Sequence, residues 1–226
     1  MALKDSIKHE ARIEREKLSN MSLKDKIWYI WEYYKVPIIA VIIIVSVAVS
    51  VGTTIYNNRF DTALYCVVVN NRTSQEVDET KVLEEIKEYL GLSDIREIVY
   101  DSSMYVSYGD SVSELSYATM AKISALVASR DLDIMIADTE NIDHYAELGG
   151  MSNLEEVLPQ DLYETVKDRL YYAKDENGVK IPCAVSLEDT KFAEDLNLSM
   201  DPPLISLFSN SEHTDNCISL LHYIFG

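Results

Sequence analysis

Val36 to Tyr56 (VPIIAVIIIVSVAVSVGTTIY) is a run of 21 residues without a charge. About 20 apolar residues at 1.5 Å rise are what a helix needs to cross a bilayer core of roughly 30 Å. The chain therefore reads as a single-pass membrane protein, organised as a tail over 1–20, an interfacial amphipathic helix over 21–35, a transmembrane helix over 36–56 and one domain over 57–226.

Charge sets the expected orientation. Residues 1–35 hold eight Lys/Arg against six Asp/Glu, with Lys24, Lys26 and Lys35 close to the apolar boundary, whereas the first stretch beyond offers only Arg59 and Arg72. Positive charge stays on the cytoplasmic side, so the N-terminus is expected inside and the C-terminal domain outside the cell membrane. Taking +2 for residues 1–35 from the chain's −18 leaves −20 on residues 57–226. A domain so acidic has no basic cluster with which to neutralise phosphates, which excludes nucleic acid as a partner. Its acid-rich stretch Glu188 to Asp195 reads as solvated surface. Ala48-Val49-Ser50 has the small-x-small form of a cleavage site, so a processed signal peptide is the rival to an anchor; 35 residues ahead of the run are long for its leading region.

Ser22 to Lys35 (SLKDKIWYIWEYYK) places Leu23, Ile27, Ile30, Trp31 and Tyr34 at helical spacing, and its Trp and Tyr rings suit headgroup depth. Pro37 is expected to end this helix or bend it into the span. Residues 1–20 alternate charges, as in HEARIEREK, and read as a solvated tail.

About 170 residues follow the span, enough for one core without metal or disulfide help. Cys66, Cys183 and Cys217 are odd in number, and two sit in apolar patterns; they read as buried free thiols. Ala63 to Asn70 (ALYCVVVN) is a continuous apolar run, the mark of a strand covered on both faces. Asp78 to Leu90 is a helix with Gly91 as its stop. Arg96 to Tyr100 is a strand. Val112 to Arg130 is a helix with the stripe Val112, Leu115, Ile123 and Val127, whose Ala118, Ala121, Ala125 and Ala128 would let it approach a sheet. Leu132 to Ala137 is a third strand. This order predicts an α/β domain with a mainly parallel sheet. Helices at 141–148, 154–158 and 161–170 follow, then a hairpin around Glu176-Asn177-Gly178, a strand at 204–208 and a helix from Thr214 to Phe225.

Two segments carry a likeness. Residues 123–159 (ISALVASRDLDIMIADTENIDHYAELGGMSNLEEVLP) resemble a first-lobe segment of type 2 extracellular solute-binding proteins, in which a helix ends in a small-residue turn, a strand delivers Asp, and a helix leads into a Gly-then-Leu stretch. Residues 205–226 are similar to that family's closing strand, loop and helix. Family members insert a second lobe between the equivalents of 138 and 204, where this chain has about 65 residues. The resemblance thus implies a reduced, one-lobed relative on a membrane anchor, of the kind found in Gram-positive envelopes.

Ligands of open parallel sheets bind outside the carboxyl ends of the strands. Those ends are expected to carry Asn70 and Asn71, then Asp101, Ser102 and Ser103, then Asp138 and Thr139. In the family's sheet order these seven would share one rim, where they could hydrogen-bond a polar solute; the alternative is that Asp138 and Thr139 are helix caps and the rest loop residues. No metal or cofactor is implied, since the histidines lack zinc spacing and no nucleophile motif is present. Three functions follow as expectations: a non-enzymatic domain recognising a small polar solute or an envelope protein; an accessory subunit of a membrane complex acting through its span and interfacial helix; and a hydrolase, which would need Asp101, Asp138 and a histidine within hydrogen-bond reach.

Overall fold

The computed structural model describes residues 22–57, 61–73, 77–109 and 112–226; the tail expected over 1–20 lies outside them. The chain divides into two units, Met1–Arg59 and Phe60–Gly226.

In the first unit a single helix, α1 (Leu23–Asn57), runs through both the segment expected to be interfacial and the apolar run. Ser22 starts it: its Oγ accepts from the Asp25 amide at 3.3 Å and donates to Asp25 Oδ2 at 2.6 Å. Pro37 lies inside the helix and does not end it. A proline removes one amide donor from the ladder, and the apolar turns that follow continue it. Lys35–Thr53 is 19 residues long and apolar enough to cross a membrane. Trp28 and Trp31 are exposed on its first turns.

The second unit is α/β. Its six strands, β1 (Leu64–Val69), β2 (Ile98–Met104), β3 (Ile134–Ala137), β4 (Leu170–Lys174), β5 (Lys180–Ser186) and β6 (Leu204–Leu207), form one sheet in the order β2-β1-β3-β6-β5-β4. Its helices are α2 (Glu79–Leu90), α3 (Glu114–Ser129), α4 (Thr139–Glu147), α5 (Leu154–Val157), α6 (Gln160–Val166), α7 (Lys191–Asp195) and α8 (Thr214–Phe225).

Strand side chains alternate between two faces. Leu64, Cys66, Val68, Ile134, Ile136, Ile205 and Leu207 pack with Val82 and Ile86 of α2, Leu162 of α6 and Leu220 and Leu221 of α8. Val67, Val69, Met135 and Ala137 point the other way, against Ile123 of α3 and Ile142 and Tyr145 of α4. A strand covered on both faces is what the unbroken apolar runs predict.

The sheet is mixed, which corrects the expectation of a mainly parallel one. β1 pairs parallel with β2 and β3, but β3 with β6, β6 with β5 and β5 with β4 are antiparallel. Parallel neighbours need a crossover that returns the chain to the same end of the sheet. The stretches holding α2 and α3 do so. Past β3 the chain instead doubles back through a tight hairpin, in which the Asp175 amide bonds Val179 O at 2.8 Å and Gly178 sits at φ 77°.

The rotation of α3 also differs from expectation. Ser116, Thr119 and Ile123 face inward, while Ala118, Ala121, Ala125 and Ala128 are exposed and Leu115 is 60% exposed. Hydrogen bonds fix the helix this way. Ser113 caps it, accepting from the Ser116 amide at 3.1 Å, and Ser116 Oγ accepts from the Ser107 amide at 3.1 Å.

All three cysteines are free and buried. Burial raises each thiol, Cys183 to about 11 and Cys217 to about 12, with Cys66 raised too. Thiolate is the reactive form. The folded chain at pH 8 should therefore leave all three unmodified by an aromatic disulfide reagent, and urea should release three equivalents; rapid reaction without denaturant would contradict the packing.

Candidate functional site

The order β2-β1-β3 makes the first crossover leave β1 toward one edge and the second return past it to the other side. α2 and α3 accordingly lie on opposite faces. The point where the winding reverses lies between β1 and β3, and the crevice outside the carboxyl ends of those strands is where open α/β sheets take ligands.

Asn70 and Asp138 are the first residues past those two strands, and the fold joins them. Asn70 Nδ2 donates to Asp138 Oδ2 at 2.8 Å, and Asn70 Oδ1 accepts from the Val106 amide at 2.9 Å. Asn70 turns the chain at φ 63°, a left-handed conformation that asparagine tolerates better than other side-chain-bearing residues. Asp138 also caps α4, its Oδ1 accepting from the Asn141 amide at 3.0 Å and from Asn141 Nδ2 at 2.8 Å. Asn141 is buried and its Oδ1 accepts from Tyr108 Oη at 2.9 Å. Thr139 opens α4 and is partly exposed.

Asn71 binds a distant loop. Its Oδ1 accepts from the Ser199 amide and from Ser199 Oγ, both at 2.9 Å, and the Arg72 amide donates to Ser199 Oγ at 2.7 Å. Asn197 Nδ2 donates to Thr73 Oγ1 beside them. An open depression of about 290 Å³ results, lined by Asn70, Arg72, Asp138, Ser199, Met200 and Asp201. Over it Arg72 is held on Tyr105, its Nη2 donating to Tyr105 Oη at 2.6 Å and its guanidinium carbon 4.8 Å from the ring centre.

Asp101, Ser102 and Ser103 do not join this rim. β2 extends to Met104, so the three lie within this edge strand, and Asp101 is level with Val67, midway along it. They also part company by alternation. Asp101 accepts from Lys122 Nζ of α3 at 2.6 Å and from Ser103 Oγ at 2.6 Å, while Ser102 Oγ donates to Glu79 of α2 at 2.8 Å. Burial pushes the Asp101 carboxyl up, but the bonds from Lys122 and Ser103 outweigh it and hold the group below its ordinary value.

Arg72, Tyr105, Ser199 and Asp201 were not legible as rim residues. Arg72 was within reach, lying two positions past Asn70 in sequence; Ser199 and Asp201 arrive through a long-range loop that no local spacing announces.

A second polar cluster lies at the opposite end of β3. Asp133 is fully buried. It accepts from the Tyr65 amide at 2.7 Å and from Ser211 Oγ at 2.5 Å, and His213 Nδ1 lies 3.2 Å from both its oxygens. Among the described residues the histidine in contact with a carboxylate is therefore His213, beside Asp133, and none hydrogen-bonds Asp101 or Asp138. Among the described residues no group of three metal-ligating side chains is present.

Removing the Asp138 side chain should destabilise the domain by about 1–2 kcal/mol, the usual size of a lost helix cap, raised by the stranded Asn70 amide. Urea unfolding of Asp138→Ala would measure it; an unchanged midpoint would show that the Asn70–Asp138 junction holds nothing.

Comparison of the chain with family models, with curated proteins and with solved structures gave no match.

Proposed function

We propose that this chain is a membrane-anchored recognition domain without a catalytic step, its N-terminus cytoplasmic and residues 57–226 outside the cell, which contacts a small polar solute or an envelope protein at the rim between β1 and β3. The observation that carries the reading is the junction of Asn70 with Asp138 at the reversal of the winding, with a depression directly beside it. The uncharged run in α1 supplies the anchor, and the resemblance of residues 123–159 and 205–226 to solute-binding proteins accords with it.

Two measurements test the rim together. A photo-crosslinking residue at Glu140, on the first turn of α4, should form adducts in intact cells that one at Ala128, on the exposed face of α3, does not; alternatively a panel of sugars, peptides and amino acids should contain a class that raises the melting temperature of the detergent-solubilised chain. Silence in the panel together with equal labelling from both positions would reject the proposal.

A further inference from the structure

The sheet has two edges, and the fold treats them differently. At β2 the Ser103 amide is taken by Asp101 Oδ1 at 3.0 Å, and Lys122 comes down from α3 onto the same carboxylate. Charged side chains placed this way keep an edge from pairing with other strands. At β4, the opposite edge, the direction of the backbone groups follows from the hairpin. Asp175 donates to Val179 O, which makes these two a bonded pair, and bonded and non-bonded pairs alternate along an antiparallel ladder. Lys174 opposite Lys180 and Tyr172 opposite Pro182 are therefore non-bonded pairs, as Pro182 requires because it has no amide hydrogen. The N–H and C=O groups of Tyr172 and Lys174 thus point away from β5, and among the described residues no strand lies beyond them.

The surroundings of this edge suit an added strand. A depression of about 380 Å³ borders it, lined by Tyr172 and Lys174 of β4 and by Asp143 and Glu147 of α4. The two carboxylates are four residues apart and so share one face of the helix. Tyr171 and Ala173 pack on the α4 side of the sheet, where Tyr171 Oη donates to Asp143 at 2.9 Å. Residues of an incoming strand opposite Tyr171 and Ala173 would lie on that same side, near Asp143 and Glu147, which favours basic side chains there. The alternate residues would lie beside Tyr172, whose ring has Lys180 Nζ at 5.6 Å, and there an uncharged side chain fits. Leu148, next to Glu147, and Val179, next to Lys180, are both exposed.

We propose that β4 takes an extended segment of a partner protein as an antiparallel seventh strand, with its basic side chains toward α4. A second copy of this chain is the poorer occupant. Pairing β4 with its twin about a twofold axis would put both α4 helices, with Asp143 and Glu147 of each, on one face of the shared sheet, between chains whose residues 57–226 carry −20 each. The surface is separate from the rim between β1 and β3 and does not depend on how that rim is read.

The full chain in detergent should raise the fluorescence anisotropy of a labelled, end-blocked Val-Lys-Val-Lys-Val peptide, and the peptide with Glu in place of Lys should bind about tenfold more weakly or worse. In the antiparallel register the Val residues face Tyr172 and Lys174 and make the backbone bonds. N-methylation of the Val amides should therefore abolish binding, whereas N-methylation of the Lys amides should cost less than about threefold. Lys174→Pro, which removes an outward amide without touching a ladder bond, should weaken binding about tenfold. Glu147→Lys should erase the preference for the Lys peptide. Failure of the Lys peptide to bind, or equal effects of the two methylations, would overturn the proposal, and neither result requires a variant to fold. Self-association of the full chain that Lys174→Pro abolishes would give the edge to a second copy and overturn it as well. The rim is tested separately by the Glu140 crosslinker.

Discussion

Asp133→Ala should lower the stability of the α/β unit by about 3–5 kcal/mol, the largest single-residue effect expected outside the hydrophobic core. The carboxyl is fully buried and ties together three parts of the chain: the start of β1 through the Tyr65 amide, the approach to β3 on which it sits, and the loop after β6 through Ser211 and His213. Backbone bonds cross at the same place, Asp133 amide to Tyr65 O at 3.1 Å and Phe208 amide to Asp133 O at 2.9 Å. Alanine would leave the Tyr65 amide without an acceptor where water does not reach, and Ser211 and His213 without the group that holds them. For a domain of this size each kcal/mol is worth about 2–4 °C, so a fall of about 6–20 °C in melting temperature is expected, read by near-ultraviolet circular dichroism. Ser211→Ala, which removes one donor and leaves the acceptor with others, should cost about 1 kcal/mol. Equal effects from the two variants would mean that Asp133 is not the centre of the cluster.

Lysines at Ile43 and Val47 together should release the chain from membranes. The two positions are one helical turn apart in the middle of the uncharged run. A charge at the centre of a spanning helix costs about 2.5–3.5 kcal/mol, so the pair opposes insertion by about 5–7 kcal/mol. Alkaline carbonate extraction should leave the parent chain in the membrane pellet and bring much of the double variant into the supernatant. Retention of both in the pellet would mean that something other than the apolar helix holds the protein there.

The parts of the fold that were legible in sequence are those set by short-range patterns. The unbroken runs LYCVVV and IMIA became strands buried on both faces, and Gly91 and Gly178 fell where the backbone takes positive φ. The terminal helix begins at Thr214 and ends at Phe225 as its spacing indicates. What escaped was long-range. Whether β6 runs with or against β3 depends on where the chain re-enters the sheet, and periodicity is the same in either direction. The outward turn of the α3 alanines follows from hydrogen bonds of Ser107, Ser113 and Ser116, and small residues alone do not say which face is inside. At the rim, Asn70 and Asp138 were legible because they end strands, whereas Asp101, Ser102 and Ser103 were misplaced because β2 runs on to Met104.

Topology is the claim on which the functional proposal stands, and the buried native thiols make it directly measurable. A cysteine placed at the exposed Ala128 should react with a membrane-impermeant maleimide on intact cells, while one placed at Ser6 should react only after lysis. Silence at position 128 until the cells are broken, with labelling at position 6 beforehand, would contradict an N-terminus held inside and a recognition domain held outside.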